Sequence, residues 1–442
     1  MASYKTVCVI VTGFILWGTS ALHAAQVLFT PTLNLSEEYT DNLFLSSDNE
    51  VDDFTTRLGL GLTGRVLWRT AGVELNYTPT YNKYADNSDF DYWRHSASFY
   101  TWKAFKRNTR LELRNTFLQT NDPVDQTDAI DPDNPLRGSA IETDFNRRGR
   151  NEYLTNVADL RLTHQFGTND SVYLSHNYRL LRDVDTFAGV PVDDNDIHTT
   201  SAGVAYSFTP RWTMELDAFY RNSTYESTND REQYNGEARL LYNFDRNMSA
   251  FVAYRHTALM YDEDIDEDFQ VYRPLVGFEK RFQGNARISI GLGYYVQDFE
   301  TSDDESSFIA TSEIYKRWDF RPAYFDILAT SGYDIDDLGV QDNGLRLYYS
   351  GRAELGYSFT SRLSASIYGS YRYTEYPNAV PDRADNNLLA GMGVGWQVLQ
   401  WMSARLTYDY RSLTSDLDSA EYTENRVLLL VTVAPVNPYR LN

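Results

Sequence analysis

Between Gly344 and Tyr376 the chain alternates apolar and polar residues, interrupted by a single turn, and this period of two constrains the fold more than any other feature. Leu345, Leu347, Tyr349, Ala353, Leu355, Tyr357 and Phe359 share one parity, while Arg346, Ser350, Arg352, Glu354 and Ser358 share the other. Successive side chains of a strand point to opposite faces, so this is a strand with one apolar and one polar face. After Thr360, Ser361 and Arg362 the pattern resumes on Leu363, Ala365, Ile367, Gly369, Tyr371 and Tyr373, which predicts an antiparallel hairpin. Each leg keeps its alternation for roughly 14 residues, whereas strands of soluble domains cluster at about 5 to 6. At about 3.3 Å per residue and a tilt near 45°, such a leg crosses the roughly 30 Å hydrocarbon core of a bilayer.

The same test along the chain predicts about 20 strands, with 18 as the alternative count, joined by connections that alternate between short and long. Short turns include Arg69 to Gly72, Lys106 to Asn108, Thr209 to Arg211, Asp319 to Arg321 and Thr360 to Arg362. Between them lie longer, acidic segments such as Asp48 to Asp53, Asp193 to Asp196, Asp262 to Asp268 and Asp334 to Asp337. Short periplasmic turns and longer external loops are the signature of an all-β, transmembrane antiparallel up-and-down β-barrel. Aromatic residues flank nearly every short turn, among them Phe105, Phe166, Phe208, Trp212, Phe244, Phe282, Trp318, Phe359, Trp396 and Trp401, as expected of a lower interfacial girdle. A looser upper girdle is expected from Phe54, Tyr84, Tyr220, Tyr261, Phe299, Phe308, Tyr333 and Tyr373.

Composition agrees. No run after the first 25 residues approaches the roughly 18 apolar residues of a membrane helix. A mean hydropathy of -0.49 nevertheless suits a barrel, because half of every strand faces a polar lumen. The formal charge of -22 argues against nucleic acid as a partner, since phosphate binding needs a basic face. Lys5 ahead of an apolar run from Val7 to Trp17, then Ala21, Ala24 and Ala25, make residues 1–25 a secretory signal peptide cleaved after Ala24 or Ala25. The one cysteine, Cys8, lies inside it, so the mature chain is expected to carry no disulfide and no lipid anchor. Residues 26–442 are expected to form a single barrel domain with no plug domain. The segment from Asn121 to Arg150, with Pro123, Pro132, Pro135 and Arg137, Arg147, Arg148 and Arg150, is long enough either to fold back into the pore or to stand outside as an external loop.

Two stretches carry a family resemblance. Leu33 to Leu62 places Tyr-Thr-Asp-Asn-Leu-Phe on the first strand and opens the second with Asp53, Phe54, Thr55 and Thr56, and Tyr422 to Pro435 forms the closing strand. Together they resemble the β-barrel porins of the BBP2-like group, found with bacterial exopolysaccharide and exosortase systems. The resemblance implies an outer-membrane location and passage of a secreted polysaccharide; a general solute porin, a structural or adhesive surface barrel and, more remotely, an outer-membrane lipid-modifying enzyme are the alternatives. It also implies contact with outer-membrane lipid, lipopolysaccharide, the barrel assembly machinery and periplasmic export components. The chain departs from many such barrels in closing on Pro438 to Asn442 rather than on an aromatic residue.

Parity directs to the lumen Arg57, Arg110, Glu112, Arg114, Arg161, Arg179, Glu237, Arg239, Arg352, Glu354, Arg372, Arg405 and Asp409, and these are the expected pore-lining residues. Both signs interleave, so the lumen is expected to be wet and hydrogen-bonding rather than a single-sign filter. The same charges also suit cross-strand pairing that stiffens the wall. No catalytic, cofactor or metal site is expected. His164, His176, His198 and His256 fall on the outward parity, no Ser sits at a nucleophile elbow, and the acidic loops lack calcium-loop spacing.

Overall fold

The computed structural model describes residues 25–123, 149–168, 170–184, 194–263, 266–283, 286–335, 345–377, 379 and 383–441. The proposed signal peptide therefore lies outside the described residues apart from Ala25, as does most of the 121–150 segment. The strands in chain order are β1 (Gln26–Thr40), β2 (Asp53–Leu67), β3 (Ala71–Tyr84), β4 (Tyr92–Phe105), β5 (Thr109–Thr120), β6 (Tyr153–Gln165) and β7 (Ser171–Asp183). They continue as β8 (Asn195–Ser207), β9 (Trp212–Tyr225), β10 (Arg231–Asp245), β11 (Met248–Tyr261), β12 (Phe269–Phe282), β13 (Ala286–Phe299) and β14 (Glu305–Phe320). The last are β15 (Ala323–Ile335), β16 (Leu345–Ser358), β17 (Leu363–Tyr376), β18 (Arg383–Leu399), β19 (Met402–Ser415), β20 (Tyr422–Val433) and β21 (Tyr439–Leu441).

Each strand pairs antiparallel with the next, and β20 returns to β1 over Leu33↔Val433 to Thr40↔Arg426, closing a barrel of 20 wall strands. The alternation explains the closure: once β20 meets β1, every wall strand has a neighbour on both sides and turns one face inward and the other outward. Outward positions are apolar and exposed, among them Leu58, Leu60, Val252, Val276, Leu292, Ile367, Met392 and Leu406. An apolar band this extensive is stable only against hydrocarbon. Below it the lower girdle stands as expected, with Phe105, Phe208, Phe244, Phe359, Trp396 and Trp401 all exposed beside the short turns. Pro435 and Pro438 interrupt the closing strand, and β21 then rejoins the ladder below, pairing Tyr439 to Leu441 with Phe29 to Val27 of β1. The parity test had not found this last strand, since three residues are too few to show a period.

One part of the wall departs from the pattern. The β14–β15 ladder runs only from Phe320↔Ala323 to Ser312↔Ser331, although β14 continues to Glu305 and β15 to Ile335. On its other side β14 stays paired with β13 up to Glu305↔Gln297. Above Ser331 the end of the β15–β16 hairpin leaves the wall and turns into the barrel. Leu345, Leu347 and Ile335, on the parity predicted to face lipid, are buried in one cluster with the inward residues Phe251, Leu259, Phe269, Val271, Leu275, Tyr295 and Ile309. Tyr333 stands 4.8 Å from the Arg273 guanidinium. The expected upper girdle is corrected accordingly: Tyr261, Phe299 and Tyr333 pack against this interior cluster, and Tyr84 is buried on the opposite side of the mouth. Phe54 and Phe308 are the exposed members of the set.

Candidate functional site: the inner wall

The lower half of the inner wall carries a recurring arrangement of a tyrosine hydroxyl, a carboxylate and an arginine. Tyr100 on β4 donates to Glu112 Oε1 at 2.5 Å, Arg110 donates to the same hydroxyl at 2.8 Å, and Arg114 lies 3.8 Å from Glu112. The Arg110 guanidinium also stacks over Trp102 at 5.0 Å. Tyr173 on β7 donates to Asp217 on β9 at 2.7 Å, with Arg161 over its ring at 4.1 Å. Tyr324 on β15 donates to Glu354 at 2.5 Å, Arg352 donates to the same carboxylate at 2.7 Å, and Arg317 covers the ring at 4.0 Å. Tyr368 on β17 donates to Asp409 on β19. Arg239 lies between Glu215 at 3.3 Å and Glu279 at 2.5 Å and covers Phe251 at 3.9 Å.

In two of these units the tyrosine reaches its carboxylate across an intervening strand, and glycine makes that possible. Tyr173 reaches across Gly203 of β8, where a Cβ would stand 2.4 Å from the tyrosine Cε1 and 2.3 Å from Asp217 Oδ1. Tyr368 crosses Gly391 of β18 in the same way, with a Cβ there 2.6 Å from the ring and 2.5 Å from Asp409 Oδ1. A ring laid over a strand glycine covers the backbone that the missing side chain leaves bare. The alternating glycines of Gly391 to Trp396 thus have a specific use, at least at their first position.

The upper half is narrowed from two sides. On the β10–β14 side stands the hairpin end. On the β1–β3 side, Glu38 (2% exposed) accepts from Arg57 at 2.7 and 2.9 Å and from Arg426 Nε at 2.6 Å. Asp122 lies 3.5 Å from Arg57, 3.3 Å from Arg426 and 3.4 Å from Arg150. Because β1 and β20 are the first and last wall strands, this network laces the closure of the barrel. It also pins both roots of the 121–150 segment inside the mouth: Arg150 Nε donates to the Leu43 carbonyl at 2.8 Å, and Tyr84 OH donates to Asn121 Oδ1 at 3.1 Å.

All thirteen expected pore-lining residues sit on the inward parity, in several environments. Arg57 is tied into the upper network, and Arg372 is buried with its guanidinium over Tyr348 at 4.7 Å. Glu237 holds Arg255 and, at 3.4 Å, Arg273. Arg110, Glu112, Arg114, Arg161, Arg239, Arg352, Glu354 and Asp409 belong to the lower units, and Arg179 and Arg405 share that face on β7 and β19. The inner wall is thus polar in its lower half and narrowed and partly apolar in its upper half. Sequence reasoning missed Trp102, Tyr100, Tyr173 and Tyr324; their parity with neighbouring charges was the available signal. The outward histidines are engaged across strands, His164 with Thr109 at 2.8 Å, His176 with Thr200 at 3.0 Å and His256 with Gln270 at 3.0 Å.

Outside the wall, the acidic loops staple one another. Glu267 accepts from the hydroxyls and backbone amides of Thr301 and Ser302 in the next loop; these bonds, those of Ser302 foremost, hold its carboxyl down at about 2. Asp53 accepts from the backbone amides of Phe54, Ala85, Asp86 and Asn87 and from the Asn87 side chain at 2.8 Å. Its burial alone would raise its pKa, but these donors outweigh burial and lower it below the usual 3.8.

Residues 230–435 match the family described as "Putative beta-barrel porin 2", which bears out the resemblance to beta-barrel porins; of the two sequence stretches, Tyr422 to Pro435 lies inside the match and Leu33 to Leu62 outside it. Solved structures similar to this chain include a BenF-like porin from Pseudomonas fluorescens Pf-5, at 10% identity over 92% of this chain and 99% of that one with a TM-score of 0.40. Pseudomonas aeruginosa OccK3 (OpdO) matches at 15% identity over 95% and 99% with a TM-score of 0.40. The siderophore receptor PirA from Acinetobacter baumannii matches at 8% identity over 93% and 80% with a TM-score of 0.48. No curated protein matches the sequence. With its closed barrel, apolar band and porin-family match, the chain is a porin-like channel of the bacterial outer membrane.

Proposed function

We propose that this outer-membrane barrel, kin to the beta-barrel porins over residues 230–435, is a passive conduit for a secreted polysaccharide. The observation that carries the reading is the recurrence of tyrosine, carboxylate and arginine around the lower inner wall. A sugar ring has an apolar face that lies against an aromatic ring and hydroxyls that both donate and accept. A wall alternating ring faces with acceptors and fixed guanidinium donors offers both kinds of contact at successive positions. Because such contacts repeat, a polymer can exchange one for the next, which favours passage over capture. The barrel holds no energy source, so direction comes from synthesis and delivery by periplasmic or inner-membrane partners. The external acidic loops lie among lipopolysaccharide and its bridging divalent ions. On this reading the protein is a channel and not an enzyme.

The test is single-channel conductance of the refolded protein in a planar bilayer, with oligosaccharides of increasing length added to one side. Length-dependent block supports polysaccharide passage. Steady conductance of small ions with no response to sugar chains assigns a general solute porin instead.

A further inference from the structure

We infer that the β14–β15 seam is a lateral portal, through which a single-chain amphiphile with a hydrogen-bonding or anionic head passes between the outer leaflet and an apolar chamber inside the barrel. Four observations converge on the seam. First comes its depth. Trp318 marks the lower girdle, and the ladder stops above Ser312 while β14 continues to Glu305. At about 3.3 Å per residue and a 45° tilt, the gap runs from about 16 Å above that girdle to about 30 Å, the span of the outer leaflet. There, among the described residues, the Glu305 to Thr311 edge of β14 has no strand partner toward β15, and unpaired backbone facing hydrocarbon costs several kcal/mol per group. A wall built only to exclude lipid would be paired here, as β13–β14 is.

The second observation is the wall behind the gap. Phe251, Phe269, Val271, Leu275, Tyr295 and Ile309 face inward, yet form an apolar surface quite unlike the Tyr–carboxylate–Arg wall below. Third, that surface contains polar atoms with no hydrogen-bond partner among the described residues. Gln297 of β13, whose backbone partner Glu305 borders the seam, is fully buried, and neither amide atom has a hydrogen-bond partner among the described residues. The Nε of buried Arg273 on β12 is likewise without one. An amide and a guanidinium N–H left open in an apolar chamber match the head of an amphiphile whose chain lies along the apolar wall.

Last, residues of the protein's own apolar parity already occupy the chamber. Tyr333, Ile335, Leu345 (1% exposed) and Leu347 would face lipid had the hairpin stayed in the wall. Phe308, on the outer face of the unpaired stretch of β14, is 84% exposed. The hairpin end thus stands where a chain from the bilayer would enter.

The experiment labels the refolded full barrel in lipid vesicles with a diazirine-bearing dodecanoate, followed by peptide mapping. Adducts on Phe251, Val271 or Ile309 are expected. Adducts confined to outward residues such as Val276 and Phe308, or a copy-to-copy cross-link through β14, would overturn the portal. A second arm extends the ladder register to pair residues 310 and 333: the Ala310→Cys, Tyr333→Cys protein is oxidised to close the seam, and inner labelling should be lost. The Ser312→Cys, Ser331→Cys control bridges residues whose hydroxyls already lie 3.0 Å apart, and its labelling should persist. Equal labelling of both oxidised proteins also refutes the route. None of these readouts depends on whether sugar chains block conductance.

Discussion

Replacing Gly203 with alanine tests the idea that strand glycines exist to let tyrosines cross them. The added Cβ would lie 2.3 Å from Asp217 Oδ1 and 2.4 Å from Tyr173 Cε1, so the ring, the carboxylate or both must move. Overpacking of this kind typically costs about 1 to 3 kcal/mol. Against it stands the ordinary advantage of alanine over glycine in a strand, about 0.5 to 1 kcal/mol. The net expectation is therefore a destabilisation of up to about 2.5 kcal/mol. Gly236 provides the internal comparison, since nothing lies within 4 Å of a Cβ built there. For Gly236→Ala only the backbone advantage remains, and a gain of about 0.5 to 1 kcal/mol follows. Urea unfolding of the two refolded variants, followed by tyrosine and tryptophan fluorescence, gives both differences. Variants that shift in the same direction would show that the crossing tyrosines do not set the glycine positions.

Other perturbations follow from the same geometry. Glu38→Gln leaves Arg57 and Arg426 without their principal carboxylate in a buried setting, and should lower barrel stability by about 3 to 5 kcal/mol, read as a lower temperature for loss of the compact gel band. Tyr173→Phe removes one hydroxyl from the inner wall and, at about 1 kcal/mol per hydrogen bond, should weaken block by sugar chains roughly fivefold while conductance of small ions stays unchanged. Asp53 has a lowered folded pKa, so its contribution to the external end is full above the ordinary 3.8 and is lost as pH falls through the lowered value. Protease nicking near Asn87 should therefore stay slow at pH 5 and accelerate only in stronger acid, whereas Asp53→Asn should be nicked readily at pH 5 as well.

The barrel was legible in sequence because a period of two, sustained for long legs, leaves few alternatives. Arg110, Glu112 and Arg114 were placed on the inner face by parity alone, and the structure adds which partners they meet. Parity has a limit, however. It states which residues share a face, not whether that face remains in the wall. Leu345 and Leu347 share the parity of Tyr349, yet Tyr349 is 45% exposed while both leucines are buried inside the barrel. The interior cluster of Phe251, Phe269, Val271 and Leu275 provides the same dry environment as lipid, so the same residue types satisfy either. Likewise, Asp122 and Arg150 read as ordinary loop charges until the closure of β1 on β20 brought Glu38, Arg57 and Arg426 to them.

The two structures that narrow the mouth differ in what moving them would cost. Withdrawing the roots of the 121–150 segment strands buried charges, at about 3 to 5 kcal/mol for each broken pair. Returning the hairpin end to the wall gives up the Tyr333 ring over Arg273 and the apolar packing of the interior cluster. Tyr333, Ile335 and Leu345 would exchange one apolar environment for hydrocarbon, and the open β14 edge would gain ladder hydrogen bonds. What that movement loses is the packing that fills the chamber, so any molecule able to replace those side chains lowers its cost. An amphiphile lodged there should therefore draw the seam closed behind it. In the Ala310→Cys, Tyr333→Cys protein, added dodecanoate should speed disulfide formation, with hexanoate, too short to line the chamber, far less effective. A rate that dodecanoate slows would mean that the amphiphile and the closed seam compete, and the hairpin end would then be a fixed part of the packing rather than its exchangeable filler.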